Sequence, residues 1–296
     1  MRVQVRGGAL WFDVSGPSLA LAGEASSERP TLVTVHGGPG LDHTGMRGTL
    51  APLADSAQLL FYDQRGHGRS DYGTSADWNL QSWATDLRDL CDALGLVAPI
   101  VLGSSFGGFV VATYAAMFPD HPAGVVLSNT TGGRTDHARS IEVFRRIGGD
   151  QAAAAARRDF EEITEESAEE FNRVCHPLFS ARPGYVEEAH RRIALSIHTT
   201  EVNLHYWRNE SERTDPWALL PEIRCPVLVI GGEDDPICPI EVVQDLVQGL
   251  TSAAEVELLR LPGARHAVFR DAPDLAFPAV LRFIRQHTRE AQADAN

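Results

Sequence analysis

The stretch that decides the fold is IVLGSSFG, residues 100–107. Its first three residues are apolar and predict a buried strand, while Phe106–Phe118 has the spacing of a helix. Between them, Gly103, Ser105 and Gly107 fit the pattern G-x-S-x-G, in which a serine lies on a tight turn from strand to helix. Glycines flank it because a side chain there would collide with neighbouring backbone. The Ser105 hydroxyl is therefore predicted at the carboxyl end of a sheet, where ligands bind in open α/β folds.

Short apolar runs of the same kind recur along the chain, each bounded by Gly, Pro or Asp. Such runs predict buried strands of a parallel sheet, and segments with helical spacing, such as Asn79–Leu94 and Pro273–His287, lie between or after them. This alternation is typical of an α/β fold with right-handed crossovers and helices on both faces of the sheet. The predicted strands are Leu32–Val35, Gln58–Tyr62, Ile100–Leu102, Val125–Leu127, Val227–Ile230 and Val256–Leu261.

The alternation of predicted strands and helices is interrupted in the middle of the chain. The stretch Thr130–Pro221 contains no convincing strand and is rich in Ala, Glu and Arg with helical periodicity. We therefore expect a core domain formed by residues 1–129 and 222–296, with residues 130–221 inserted as a helical cap.

A serine is a poor nucleophile at its ordinary pKa, so the site needs a base and a carboxylate that orients the base. In this type of sheet the chain order is Ser, then Asp or Glu, then His. Asp234 and Asp235 follow one predicted strand, and His266 follows the next. We favour Asp235 because it directly precedes the turn at Pro236, with Asp234 as the alternative. Ser105, Asp235 and His266 thus fall on three loops of one sheet edge.

An oxyanion needs backbone donors that are already in position. The sequence HGGPG, residues 36–40, follows a predicted strand at the same edge, and its glycines allow close approach to a substrate. The expected donors are the N–H groups of Gly38 and Phe106. The nearby motif DQRGHGRS, residues 63–70, is predicted to be a hydrogen-bonded turn in which His67 is structural.

Composition excludes several classes of function. The chain of 296 residues has 26 basic and 40 acidic residues, a formal net charge of −14, which argues against nucleic acid as a partner and against binding to anionic membrane surfaces. All the basic residues are arginines, so Schiff-base and P-loop lysines are excluded. We find no metal-binding or dinucleotide-binding motif, and we expect no cofactor and no metal.

The cysteines and the hydropathy of the chain indicate the cellular compartment in which we expect the protein. The four cysteines are scattered among apolar neighbours and are typical of reduced core residues. No apolar run approaches a signal peptide or a membrane span, so a cytoplasmic protein is the expectation. The sequence leaves the oligomeric state open.

Taken together, these residues resemble the α/β-hydrolase fold superfamily over the whole chain except the cap. Within it, the HGGPG and DQRGHGRS motifs resemble the proline iminopeptidase group. That resemblance implies a Ser105–Asp235–His266 triad, an oxyanion donor at Gly38, and cap acids that receive the ammonium group of a substrate. The chain departs from the group's pattern at Phe106 and His67. By the same resemblance Glu201 is placed like a cap glutamate, and Trp207 lies in the same segment.

The sequence therefore predicts a serine hydrolase whose partner is a small-molecule or short-peptide substrate. The first hypothesis is removal of an N-terminal residue from small peptides or amides. The second is an esterase, a lactonase or a hydrolase of carbon–carbon bonds, for which the cap offers an apolar lining. A third is a ligand-binding protein without catalysis. The aromatic and aliphatic residues available for the lining are Phe171, Leu178, Phe179, Tyr206, Trp207 and Trp217.

Overall fold

The structure is a computed structural model, and it describes residues 1–22, 25–133, 136–213 and 215–294. Within this part of the chain ten strands form an eight-stranded sheet and a separate two-stranded hairpin. The strands are β1 (Arg2–Val5), β2 (Gly8–Ser15), β3 (Leu19–Ala22), β4 (Ala25–Glu28), β5 (Thr31–Val35), β6 (Gln58–Tyr62), β7 (Ile100–Ser104), β8 (Gly124–Ser128), β9 (Val227–Gly232) and β10 (Val256–Leu261).

The large sheet is mostly parallel. Its strand order is β1-β2-β6-β5-β7-β8-β9-β10; the pairs β1–β2 and β2–β6 are antiparallel, and the pairs from β6 to β10 are parallel. Because parallel strands share one carboxyl edge, the loops after β5, β7, β9 and β10 lie at the same edge of the sheet. The predicted α/β class and the mostly parallel sheet are confirmed, and the six predicted strands are present.

Helices cover both faces of the sheet. The described residues of the long connection between β8 and β9, 129–133, 136–213 and 215–226, contain helices and no strand. The helices are α1 (Thr44–Leu50), α2 (Leu80–Ala93), α3 (Phe106–Met117), α4 (His137–Glu162), α5 (Glu165–Val174), α6 (Tyr185–Leu195), α7 (Thr200–His205), α8 (Ile240–Gly249), α9 (Val268–Asp271) and α10 (Pro273–Asp294).

The sheet separates two apolar layers. One contains buried residues of α2, α3 and α8, and the other contains buried residues of α1 and α10. Successive residues of β5 point to opposite layers, since Leu32 belongs to the second and Val33 to the first. The central strands are therefore buried on both faces, which explains their continuous apolar runs.

The connection between β8 and β9 has a small core of its own. Buried Ile141 and Phe144 of α4 pack with Cys175, which follows α5. Near the two ends of the connection, a methyl group placed on Gly132 would lie 2.6 Å from the Trp217 indole, so the backbone at Gly132 packs directly against that ring. The helical character predicted for this region agrees with the structure.

Candidate active site

Ser105 lies on the turn that joins β7 to α3. Its backbone has φ 54° and ψ −125°, and it immediately precedes the first residue of α3. A side chain on Gly107 would collide with the carbonyl oxygens of Val35 and His36, and one on Gly103 would collide with the backbone of Gly107. The glycines therefore let the helix start directly against the neighbouring strand, and this close packing holds the serine at the sheet edge.

His266 lies between Ser105 and Asp235. Its Nε2 is 3.1 Å from the Ser105 Oγ, and its Nδ1 is 2.9 Å from Oδ2 and 3.1 Å from Oδ1 of Asp235. The Asp235 side chain is fully buried and that of His266 is about 10% exposed. The structure thus brings together the three residues that the sequence predicts, in the geometry of a nucleophile, a base and a carboxylate that orients the base.

Backbone amides place Asp235 in this position. The amides of Ile237 and Cys238 donate to its Oδ1 at 2.8 Å and 2.9 Å. Asp234 turns away from the site and accepts a hydrogen bond from Arg146 at 2.5 Å. Of the two adjacent acids, the structure therefore brings Asp235, and not Asp234, to the imidazole.

The predicted oxyanion loop lies beside the serine. A methyl group on Gly37 would be 3.2 Å from Ser105 Cβ and 3.8 Å from its Oγ, so this loop passes close to the hydroxyl. Phe106 is the first residue of α3, and the N–H groups of a first helical turn have no acceptor within their helix. Gly38 has φ 127°, a conformation that favours glycine.

Buried polar residues support the oxyanion loop from below. The Gln64 amide N–H donates to His36 Nε2 at 3.1 Å, and its side chain donates to the His36 carbonyl at 2.9 Å. Beside them, Asp63 accepts from the His43 backbone at 3.0 Å and from the Arg69 backbone at 2.8 Å. Burial alone would raise the pKa of Asp63, but the hydrogen bond with the His43 ring, the nearby His36 and these amides lower it to about 2.

His67 is fully buried in the turn after β6. Its Nδ1 is 2.9 Å from the Arg65 carbonyl oxygen, and its ring packs near those of His36 and Trp83. Burial, together with the nearby His36, lowers the pKa of His67 to about 3. These contacts agree with the predicted structural role.

Two predicted substrate-binding residues lie on or just after α7. Glu201 is exposed, and its side chain makes no hydrogen bond or ion pair with the described residues. Trp207 is half-buried, and its ring centroid is 5.1 Å from that of Tyr206. Tyr206 in turn packs edge-on against Phe106 at 4.8 Å. Tyr206 thus lies between Trp207 and the residue after Ser105, and the substrate-binding roles of Trp207 and Glu201 stay predictions.

The loop that carries His266 is tied to the connection between β8 and β9. The Ala267 N–H donates to the Phe179 carbonyl at 2.9 Å, and the Phe179 ring packs edge-on against His266 at 5.1 Å. Asp271 accepts from the Arg265 N–H at 2.8 Å and also bonds the Ser180 hydroxyl. The sequence offers Phe179 only as one of several lining residues and does not single out Asp271, because their contacts depend on how distant segments pack.

A cavity of about 200 Å³ opens beside the triad. It is lined by the oxyanion loop, by α1 and α9, and by residues of α6. The lining includes His266, whose Nε2 is 3.1 Å from the Ser105 Oγ, and Gly37, where an added methyl group would lie 3.8 Å from that oxygen, so the cavity lies next to the nucleophile. The lining also includes Arg192 and Arg270, which the sequence does not single out. The only signal for Arg192 is its spacing of four residues from Glu188 on one helix.

Two groups among the described residues have donor atoms close enough to hold a metal ion: Asp235 with Cys238 and His266, and Asp42 with His43 and Asp63. In both groups the carboxylates already accept hydrogen bonds from protein N–H groups. The expectation of no metal and no cofactor stays a prediction. The cysteines, all four, are buried and free.

Residues 30–273 match the sequence model of a family described as the alpha/beta hydrolase fold. The chain belongs to the α/β hydrolase fold family. This confirms the predicted fold class, the resemblance and the prediction of a hydrolase. None of the helices in the described residues is apolar over a length that would span a membrane.

The proteins that this chain is similar to include proline iminopeptidases and an enol-lactonase. The α/β hydrolase is 28% identical to a proline iminopeptidase of Levilactobacillus brevis, over 86% of this chain and 87% of the relative. A solved proline iminopeptidase of Mycobacterium smegmatis superimposes with a TM-score of 0.76 at 22% identity, over 98% of this chain and 99% of the other. An enol-lactonase of Burkholderia xenovorans LB400 superimposes with a TM-score of 0.69 at 21% identity, over 96% and 100%.

Proposed function

We propose that this α/β hydrolase acts through an acyl-enzyme formed on Ser105. The observation that carries the proposal is the continuous hydrogen-bonded chain from the Ser105 hydroxyl through both ring nitrogens of His266 to buried Asp235. A serine becomes nucleophilic when a base accepts its proton, and the base needs a fixed tautomer. Asp235 fixes that tautomer by accepting a hydrogen bond from the Nδ1–H group, which leaves Nε2 free to act as the base.

The proposed reaction has two halves. Ser105 Oγ attacks the substrate carbonyl carbon while its proton moves to Nε2 of His266, and the amides of Gly38 and Phe106 donate to the oxyanion. Collapse of the tetrahedral intermediate breaks the bond to the leaving group, which takes the proton from His266. Water then attacks the acyl carbon while its proton moves to Nε2 of His266. Collapse of the second intermediate releases the acid, and His266 returns the proton to Ser105 Oγ.

For the substrate, we propose removal of an N-terminal residue from small peptides or amides. The support is the similarity to proline iminopeptidases over most of both chains. In this proposal the Glu201 carboxylate binds the ammonium group of the substrate, and Trp207 packs against the apolar part of the substrate.

The second candidate is an ester, a lactone or a carbon–carbon bond next to a ketone. One observation favours it: among the described residues, aromatic rings lie next to the triad, with Phe179 on His266 and Tyr206 on Phe106, the residue after the nucleophile. The same frame hosts many hydrolases, so the substrate has to be argued from the site and not from the fold.

The proposed division of the chain keeps the predicted boundaries. Residues 1–129 and 222–296 form the core, and 130–221 form a helical cap over the active site. Three contacts support a cap in this place: the Thr199 N–H donates to the Gly40 carbonyl at 2.9 Å, Asn203 donates to the Pro39 carbonyl at 2.9 Å, and Phe179 packs on His266.

The test compares initial rates on a proline arylamide and a short-chain aryl ester. Ser105→Ala should lower turnover of whichever substrate is cleaved by roughly 10³-fold or more, while Ser252→Ala, at an exposed serine, should leave it unchanged. A fluorophosphonate probe should label Ser105. Efficient arylamide cleavage with a higher KM in Glu201→Gln supports the aminopeptidase, and cleavage of the ester alone supports the second candidate. Without labelling or turnover, the protein is a binder and the proposal is wrong.

A further inference from the structure

The cavity beside the triad is unlike the surface of the molecule in its charge. The chain carries a formal net charge of −14, yet the basic side chains Arg192 and Arg270 line this cavity. They reach it from separate elements, α6 and α9. Their side chains are only 20% and 13% exposed, so both guanidinium groups are largely withdrawn from water.

One carboxylate is shared between these two arginines. Glu188 Oε1 accepts from Arg192 Nη1 at 3.2 Å and from Arg270 Nε at 3.0 Å. The two Nη groups of Arg270 form no hydrogen bond with the described residues. Two positive charges thus face one negative charge, which leaves an excess positive charge in a partly buried position. Burying a charge without a partner is costly, so such an arrangement favours an anionic ligand.

The rest of the described lining does not neutralise that charge. Its one acid is Asp42, whose carboxylate is already occupied by Arg69 at 3.0 Å and by the Thr44 and Ile197 amides at 3.0 Å and 3.1 Å. His176 adds no negative charge, and burial together with the nearby Arg192 and His266 lowers its pKa to about 4. The described lining of the cavity therefore has an excess positive charge, which attracts an anion.

We infer that the substrate carries a carboxylate, which Arg192 and Arg270 bind while the scissile carbonyl lies at Ser105. The inference rests on the proposed function. A guanidinium presents parallel N–H donors that match the two oxygens of a carboxylate. The volume of about 200 Å³ suits a small acid. The carboxylate has two sources: the C-terminus of a short peptide, or an acid group on an ester or lactone.

Matched substrates separate the charge from intrinsic reactivity. For the peptide source, the para-carboxyanilide of L-proline is compared with its para-carbamoylanilide. For the ester source, para-acetoxybenzoate is compared with para-acetoxybenzamide. The quantity measured is the ratio of kcat/KM for the charged substrate to that for its neutral partner. The pair that shows the larger ratio in the wild type identifies the source.

Substitutions then test the two arginines. Arg270→Gln and Arg192→Gln should each lower the ratio by roughly 10-fold to 100-fold, which corresponds to loss of a hydrogen bond to a charged group. Arg191→Gln removes the same charge from an exposed neighbour and should leave the ratio unchanged. Glu188→Gln should raise it, because it frees the positive charge. A cluster with only a structural role would lower both rates in each pair equally and leave the ratio unchanged in all these variants, which would overturn the inference.

Binding measured without turnover keeps the inference separate from the proposed mechanism. Calorimetry with the Ser105→Ala protein should detect benzoate but not benzamide, and the benzoate signal should disappear in the Ser105→Ala, Arg270→Gln double variant. Equal binding of benzoate and benzamide overturns the inference even if the serine mechanism holds. Turnover that survives Ser105→Ala overturns the mechanism, while selective benzoate binding would still support a carboxylate site.

Discussion

Ser105 keeps a backbone conformation that residues with a side chain rarely adopt, with φ 54° and ψ −125°. Residues held in this way cost about 1–3 kcal/mol, which the surrounding structure has to supply. Glycine relieves the strain but gains entropy in the unfolded chain, so the two effects partly cancel. We expect Ser105→Gly to have a free energy of unfolding about 1 kcal/mol higher than Ser105→Ala, measured by urea denaturation. A Ser105→Gly variant that is less stable than Ser105→Ala would show that the turn is not strained, because only the entropy of the unfolded chain would then separate the two variants.

Burial of His67 makes the stability depend on pH. Its pKa is about 3 in the folded protein, against an ordinary value of 6.5, so the unfolded chain binds the proton more readily. The stability that His67 contributes is fully present above pH 6.5 and is lost as the pH falls toward 3. Between pH 7 and pH 5 this loss amounts to about 2 kcal/mol.

His67→Gln removes the titrating group. We expect its free energy of unfolding to fall less between pH 7 and pH 5 than that of the wild type, by about 2 kcal/mol, although it is less stable at pH 7. His190→Gln, at an exposed histidine, serves as the matched control and should keep the wild-type pH dependence. An unchanged pH dependence in His67→Gln would refute the assignment. Urea denaturation at both pH values provides the measurement.

Among individual residues, the serine, the acid and the histidine of the site could be predicted from the sequence, because each follows a recognisable strand. The choice between Asp234 and Asp235 was harder, since adjacent side chains differ only in which one points inward. Arg192 and Arg270 were beyond prediction, because they meet only when α6 packs near α9 and no local pattern records that approach.

Among the elements, strands buried on both faces were predictable and edge strands were not. β5 and β7 are mostly apolar and have four of their five residues buried, because both faces of the sheet are covered. β1 and β2 pair antiparallel at one edge, with mixed polar and apolar residues and partial exposure. The alternation of polar and apolar residues in β1 and β2 is short, and glycines lie next to it, so it does not clearly indicate a strand. The sequence predictions therefore omit these two strands.

Asp271 at the end of α9 acts on the active site through its neighbours. It holds the Arg265 N–H at 2.8 Å and the Ala181 N–H at 3.3 Å, and so it joins the His266 loop to the connection between β8 and β9. We expect Asp271→Asn to lower kcat roughly 10-fold with little change in KM, because small displacements of the base slow the reaction. Steady-state rates on the best substrate of the wild type provide the measurement.

The control for this prediction is Asp274→Asn, an exposed acid three residues further along. It should retain the wild-type kcat and the wild-type rate of fluorophosphonate labelling. Slower labelling in Asp271→Asn would show that the nucleophile itself is less reactive. A variant that loses stability but keeps kcat would instead place Asp271 outside the positioning of His266.

For the whole molecule, the separate apolar core of α4 and α5 predicts uneven stability. Phe144 is fully buried in that small cluster, while Leu32 and Phe61 are fully buried beneath the sheet. Small clusters open locally at a lower free energy than a central sheet. We expect amide hydrogens of α4 and α5 to exchange faster than those of β5 and β7, measured by mass spectrometry at neutral pH.

Matched truncations sharpen this expectation. Phe144→Ala leaves a cavity that costs about 3–5 kcal/mol, and it should accelerate exchange in α4 and α5 alone. Phe61→Ala, a similar truncation under the sheet, should accelerate exchange throughout the protein. Equal acceleration of all peptides by Phe144→Ala would mean that the two cores unfold as one unit.

The contact between Gly132 and Trp217 has a consequence for chain connectivity. Gly133 also lies against Pro216, with 3.1 Å between a Cβ built on the glycine and the proline Cδ. Residues near the start and near the end of the connection are therefore neighbours in space. A bridge of a few residues would span such neighbouring ends. Under the proposed division of the chain, the stretch between them is a cap that is inserted into the core at two neighbouring points. We therefore expect that joining residue 133 to residue 216 would keep the nucleophile and its base in the core, and that a different cap could be inserted at the same place.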